Sequence, residues 1–118
     1  MIIANAIATQ QGSFGAVVKL QDPVTKAAVS PVTLQWTLTD TTGTVINSRE
    51  NVSVSITAGQ EENIIYLEGD DLQLLSGESG KRAVRRRLII EATYHSQLGV
   101  NKPAKTVLYF YVENLWLS

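Results

Sequence analysis

Hydrophobic and polar positions alternate with a period of two through most of the chain, the pattern of strands with one face in a core and one in water. The clearest run covers residues 32–39, where Val32, Leu34, Trp36 and Leu38 fall on one face and Thr33, Gln35 and Thr37 on the other. Asp40-Thr41-Thr42-Gly43 then supplies turn chemistry, because Asp bonds nearby backbone and Gly takes a positive φ without steric cost. Extended structure resumes over residues 44–47, so the two segments read as a hairpin. Val52, Val54 and Ile56 alternate with Ser53, Ser55 and Thr57, Ala58-Gly59 interrupts, and Ile64-Ile65-Tyr66-Leu67 forms the next strand. Leu88, Ile90, Ala92 and Tyr94 alternate with Arg87, Ile89, Glu91 and Thr93. A loop marked by Gly99 and Pro103 follows, and a last strand from about Thr106 to Val112 turns Leu108, Phe110 and Val112 inward.

The N-terminal third is less regular. Residues 2–8 and 16–20 read as strands separated by Gln11-Gly12-Ser13, and Asp22-Pro23 ends the second. The single helical signal is one short turn near residues 70–75, where an Asp caps Leu72-Gln73-Leu74-Leu75 before Ser76-Gly77 stops it. Seven to eight short antiparallel strands, with turn signals every ~8 to 12 residues, predict an all-β fold: one Greek-key β-sandwich. Residues 1–118 read as a single domain with an N-terminal arm over 1–13 and an apolar tail over 114–118. Residues 76–84, small, glycine-containing and charged, are expected to be mobile.

Composition narrows the chemistry. A chain of 118 residues is long enough for one core. It has no cysteine, which excludes disulfides, thiolate nucleophiles and Cys-ligated zinc. A formal charge of -1 argues against a nucleic-acid binder driven by overall basicity. Met1-Ile2-Ile3-Ala4-Asn5 lacks the basic and apolar regions of a signal peptide, and no run approaches the ~18 to 20 apolar residues that cross a bilayer. Synthesis in a cytoplasm, with no membrane contact, is the expectation.

The order of these elements resembles the immunoglobulin or fibronectin type III-like sandwich over residues 14–113: a Trp36 strand, a hairpin, two further strands, a corner at residues 69–75, then a strand ending in Tyr94. The resemblance implies that Trp36 and Tyr94 are core markers, beside Leu38, Ile90 and Phe110 from the alternation. The cysteine pair of antibody domains is missing, which leaves the cysteine-free relatives. A narrower resemblance is to small virion proteins of tailed bacteriophages. It is carried by Trp36-Thr37-Leu38-Thr39-Asp40 with Gly43, Ser48-Arg49-Glu50-Asn51-Val52, Gly69-Asp70-Asp71-Leu72, residues 88–94 and Tyr111-Val112-Glu113-Asn114-Leu115. It implies a structural protein in the head, connector or tail of a virion.

Catalytic signals are weak. His95 is the one histidine, and no Gly-x-Ser-x-Gly elbow accompanies it, so a surface histidine outweighs a hydrolase base. Glu68, Asp70 and Asp71 crowd a glycine, as calcium ligands do, but the Asp-x-Asp-x-Asp-Gly pattern is absent and a solvated corner with an Asp capping a short turn explains them at lower cost. Glu61 and Glu62 read as a solvated turn edge. No catalytic residue, metal site or cofactor is assigned, and the chain reads as a non-enzyme.

Charge placement is more informative. Seven acidic and no basic residues lie from Glu50 to Glu78, whereas Lys81, Arg82, Arg85, Arg86 and Arg87 concentrate half the basic residues in seven positions. Two readings stand: internal neutralisation across a corner, or a patch that meets an acidic partner or a neighbouring subunit. Nucleic acid is the weaker partner, because no aromatic residues interleave the arginines. Leu115, Trp116 and Leu117 place large apolar side chains where chains usually fray, so the tail either folds back or anchors in a partner. Tyr109 and Tyr111 share the outward face of the last strand, a strip that a carbohydrate-binding or adhesive module uses and that strand propensity explains as well. The partners expected are other virion proteins or copies of the chain itself.

Overall fold

The computed structural model describes residues 7–9, 13–22, 24–57, 59–75, 77–78, 80–96 and 99–114. Among the described residues, eight strands form two sheets: β1 (Ile7–Thr9), β2 (Ser13–Gln21), β3 (Ala28–Val29), β4 (Thr33–Asp40), β5 (Val52–Ser53), β6 (Glu62–Glu68), β7 (Ala83–Ser96) and β8 (Gly99–Glu113). One sheet runs β1-β8-β7-β4-β5 and the other β3-β2-β6, so the expected all-β sandwich is present. The pairing is antiparallel except at one place. β1 lies parallel to β8, with Ile7 opposite Tyr111.

The alternation that predicted strands also decides the core. Phe14, Ala16, Val18 and Leu20 of β2 and Ile65 and Leu67 of β6 face Leu34, Trp36 and Leu38 of β4, Leu88 and Ile90 of β7, and Phe110 and Val112 of β8 across the interior. Phe14 and Phe110 stack with centroids 4.7 Å apart and planes at 14°, joining the two sheets at one end. Trp36, Leu38, Ile90 and Phe110 are buried as expected. Tyr94 is only partly buried and packs against the rim of the core, because β7 runs past Thr93, its last residue paired with β4.

Three local expectations fail for physical reasons. The segment after Gly43 makes a single bridge, Thr39 to Val45, before Asn47 and Ser48 take φ of 52° and 56° and end any strand; Ile46 drops into the core instead. Val52 and Ser53 alone form β5, while Val54 and Ile56 pack on the core outside a strand. The loop expected at Gly99 and Pro103 is the start of the 15-residue β8, with Pro103 opposite Thr93. The Thr93 carbonyl accepts from Val32 N–H on the β4 side, so Pro103 turns its missing N–H toward the far edge of β8. An edge is where a strand tolerates proline. Long β7 and β8 stretch the molecule to 50 × 22 × 21 Å.

Between the sheets, Gly69–Leu72 forms a short 3₁₀ turn at the corner after β6. It is solvated only in part: Glu68 and Asp70 are exposed, as the sequence implied, and Asp71 is not. Asp71 is buried; its Oδ2 accepts from Glu68 N–H, and its Oδ1 accepts from Asn47 Nδ2 at 2.9 Å and Arg49 Nε at 2.7 Å. The corner is thereby tied to the loop after β4.

Candidate functional site

Strand parity splits the basic block. β7 turns Val84, Arg86, Leu88 and Ile90 inward and Arg85, Arg87, Ile89 and Glu91 outward, so three consecutive arginines meet two different environments.

Arg86 is fully buried. Its Nη2 and Nη1 donate to the two Glu78 oxygens at 2.5 and 3.0 Å, a bidentate pair, and Nη2 also donates to Gln73 O at 3.2 Å. Glu78 Oε1 in turn accepts from Leu75 N–H. The Arg86 guanidinium, opposing the cost of partial burial, holds the Glu78 carboxyl below its ordinary value of 4.5. The segment after the 3₁₀ turn is latched onto β7 by this pair. Arg86 is therefore no partner contact: it neutralises Glu78 inside the fold, because the strand that places Val84 and Leu88 in the core must place Arg86 there too.

The outward arginines differ. Arg85 is exposed and lays its guanidinium 4.2 Å from the centroid of the Tyr109 ring, a cation–π contact. Arg87 is half-buried, with Nε donating to Thr39 Oγ1 at 3.1 Å and Asp40 O at 3.2 Å. The register sets Arg85 opposite Tyr111 and Arg87 opposite Tyr109. Tyr109, Tyr111 and Val107 are all exposed, so the outer face of β7 and β8 is a strip of aromatic, apolar and arginine side chains on two rigid strands. Lys81 and Arg82 are exposed beside it. The Arg82 carbonyl accepts from Asn114 N–H, which pins the end of β8. Leu115, Trp116 and Leu117 lie outside the described residues.

A shallow groove next to the strip is lined by Asp40, Thr42, Glu78, Lys81, Arg85 and Tyr111. Burial pushes the Asp40 carboxyl upward, but the Thr42 hydroxyl and the N–H groups of Thr44, Thr42 and Gly43 outweigh it and hold the group below its ordinary value of 3.8. Gly43 closes that turn at φ +99°, a conformation that side chains resist. With Glu78 committed to Arg86, the groove sets the turn-bound Asp40 carboxylate near the exposed cations Lys81 and Arg85. Such a surface can sort partners by charge placement.

The remaining candidates have structural partners. His95 Nδ1 accepts from Asn101 N–H at 3.2 Å, across the β7–β8 connection. Glu62 meets Lys19 at 3.4 Å on the exposed face of the smaller sheet. Among the described residues, no three His, Asp or Glu side chains gather as a metal site would need. No helix of the described residues is long and apolar enough to cross a membrane. The sequence reading passed over Tyr66 and Ile64 of β6, both exposed and adjacent on one face. The signal was available, since inward Ile65 and Leu67 force their neighbours outward. Comparison of the chain with protein-family models, with curated proteins and with solved structures finds no match in any of the three.

Proposed function

We propose that the chain is a non-enzymatic structural protein, a minor component of the head, connector or tail of a tailed-phage virion, and that it works through protein–protein contacts. The observation that carries this reading is the outer strip of β7 and β8, where exposed Tyr109, Tyr111 and Val107 stand beside Arg85. Aromatic residues and arginine are the types enriched at protein interfaces, and strands present them with little conformational entropy left to lose. The virion assignment rests on the segment resemblance, Trp36 through Asp40 and Tyr111 through Leu115 among them. Proteomics and cross-linking of virions purified from the phage or prophage that encodes the chain test it. The chain is expected in the particle, cross-linked to neighbours; particles consistently without it would refute the reading.

A carbohydrate-binding or adhesive module is the second reading, favoured by the exposed pair Tyr109 and Tyr111. Arg85 weighs against it by already covering one face of the Tyr109 ring at 4.2 Å. A glycan array decides: signal lost in Tyr111→Ala supports sugar binding, and an array blank for the unaltered chain removes it.

A further inference from the structure

The two outer faces of the sandwich carry the same order of chemistry with opposite charge. On the smaller sheet, β6 turns Glu62, Ile64, Tyr66 and Glu68 to solvent at every second position, with Ile64 41% and Tyr66 69% exposed. Glu62 is matched by Lys19 of β2 at 3.4 Å, so that end of the row is neutral. Half-buried Val17 stands opposite Ile64, and the Tyr66 ring leans over Gly15, where a Cβ would lie 3.9 Å from it. The other end is acidic: Glu68 is exposed, and the exposed Asp70 follows it in the 3₁₀ turn.

On the larger sheet the outer row of β8 reads Lys105, Val107, Tyr109 and Tyr111, again at every second position and again exposed. Lys105 stands opposite Glu91 of β7, a second neutral end, and half-buried Ile89 stands opposite Val107. The far end is basic. Arg85 stands opposite Tyr111, and Lys81 lines the same groove as both. Arg85, Arg87, Lys81 and Arg82 outnumber Asp40 and Glu113 there.

Laid face to face, with β6 and β8 running the same way, the two rows match. The Lys19–Glu62 pair meets Lys105 and Glu91, Ile64 and Tyr66 meet Val107 and Tyr109, and Glu68 meets Arg85. Sheets pack in this manner about 10 Å apart, with strand directions within about 30° of each other. Only side chains that already point away from their own core take part. The backbones of β6 and β8 keep the pairings they have within their own sheets, and β1 stays in place beside β8. Either face set against its own copy brings like charges together, which opposes that contact.

We propose that the outer face of the smaller sheet docks on the outer face of the larger sheet in a second copy of this chain, Glu68 against Arg85 and the Ile64–Tyr66 pair against Val107 and Tyr109. This names the partner in the contact reading given above and rests on it. The contact uses two different faces, so it is head-to-tail, and copies stack into a filament or close into a ring and do not stop at a two-fold dimer. The smaller sheet has three strands and β6 seven residues, a face of roughly 10 by 20 Å. One such contact falls short of the ~800 Å² that each partner gives a stable complex, so association is weak and concentration-dependent.

Sedimentation velocity of the purified full chain, over a concentration series at low salt, tests the proposal. Concentration-dependent species beyond the dimer are expected. Tyr66→Ala, Glu68→Arg and Arg85→Glu should each weaken association roughly tenfold, the factor set by about 1.4 kcal/mol. Joining Glu68→Arg to Arg85→Glu restores opposite charges across the contact and should recover association. Melting temperatures control for folding, and Tyr66→Ala leaves untouched the turn that Glu68 opens, so it reads the contact even where Glu68→Arg disturbs that turn. Carbodiimide, which couples carboxylates to amines without a spacer, should link Glu68 or Asp70 of one copy to Lys81 of another in a mixture of isotope-labelled and unlabelled chains. A chain that stays monomeric throughout the series overturns the inference. So does association that Tyr66→Ala and Arg85→Glu both leave unchanged. Either result leaves the virion reading standing if proteomics finds the chain in particles, so the two proposals fail separately.

Discussion

Arg85 and Arg86 are sequence neighbours with the same charge, and the molecule uses them in opposite ways. Arg86 is withdrawn from water against Glu78, whereas Arg85 lies in the open over Tyr109. The comparison teaches that in a strand parity outranks residue type. A charged side chain whose backbone position points inward stays there when a carboxylate comes to meet it, and here the segment after the 3₁₀ turn brings Glu78. The energetic consequences differ accordingly. Removing one partner of a buried ion pair strands the other and costs about 3–5 kcal/mol, while exposed cation–π contacts contribute roughly 0.5–1 kcal/mol.

The largest effect is therefore expected from Arg86→Ala, a loss of about 3–5 kcal/mol in urea unfolding because Glu78 is left without its guanidinium. The double replacement Arg86→Met with Glu78→Leu should recover most of that loss, since apolar residues of similar volume replace a buried pair at little or no net cost. A single substitution that cost under about 1 kcal/mol, the level of an exposed pair, would break the comparison by showing that Arg86 behaves as Arg85 does.

Asp71 stands next. It is buried, like Arg86, but Arg49 keeps 43% of its side chain exposed, so half of this pair remains wet. Asp71→Ala removes the acceptor for Glu68 N–H, Asn47 Nδ2 and Arg49 Nε, and a loss of about 2 kcal/mol is expected from the cap and the stranded donors together. Asp71→Asn should cost less, because it keeps one acceptor oxygen. Equal losses for the two variants would mean that the charge on Asp71, and not its hydrogen bonding, holds the corner.

Acid should sharpen the distinction further. Glu78 has its folded pKa below its ordinary 4.5, so its contribution is fully present above pH 4.5 and is lost as pH falls through the folded value. Asp40 shifts in the same direction by its turn hydrogen bonds and adds to the same acid limb. Denaturant melts between neutral pH and about pH 3 should show this decline. In Glu78→Gln the part due to the pair should be missing, so that the variant's stability depends less steeply on pH than the parent's. Parallel curves for parent and variant would show that the pair does not titrate with folding.

How much of this was legible depends on the range over which each cue acts. Strand existence and facing were legible because alternation is local: Leu34, Trp36 and Leu38 point inward as their spacing requires. The same rule, carried back along β7 from Leu88, places Arg86 inside, so that burial was readable and was obscured only by grouping five basic residues as one surface block. The partner was not readable, because Glu78 reaches Arg86 through a turn whose path no period describes. Asp71 is similar, its ligands Asn47 and Arg49 lying 24 and 22 positions away. Pro103 misled because proline usually ends a strand, and only the sheet order shows that its missing N–H faces an edge.

The smallest effect belongs to Arg85. Arg85→Ser removes an exposed guanidinium from the Tyr109 ring and is expected to cost less than about 1 kcal/mol. Added to Arg87→Ser, which also deletes the bonds to Thr39 and Asp40, the cost should stay well below that of Arg86→Ala alone. The triple replacement of Arg85, Arg86 and Arg87 by Ser is therefore not the innocuous surface change that a solvated basic patch implies. Its loss should be dominated by Arg86, and reinstating Arg86 alone in the triple variant should recover most of the stability. Binding to a partner, read separately by cross-linking or sedimentation, should follow the reverse order, weakened by loss of Arg85 in a variant that still folds. If Arg85→Ser left partner binding intact while lowering the melting midpoint as far as Arg86→Ala does, the division of labour along β7 would be wrong, and the outward arginines would belong to the fold and not to its contacts.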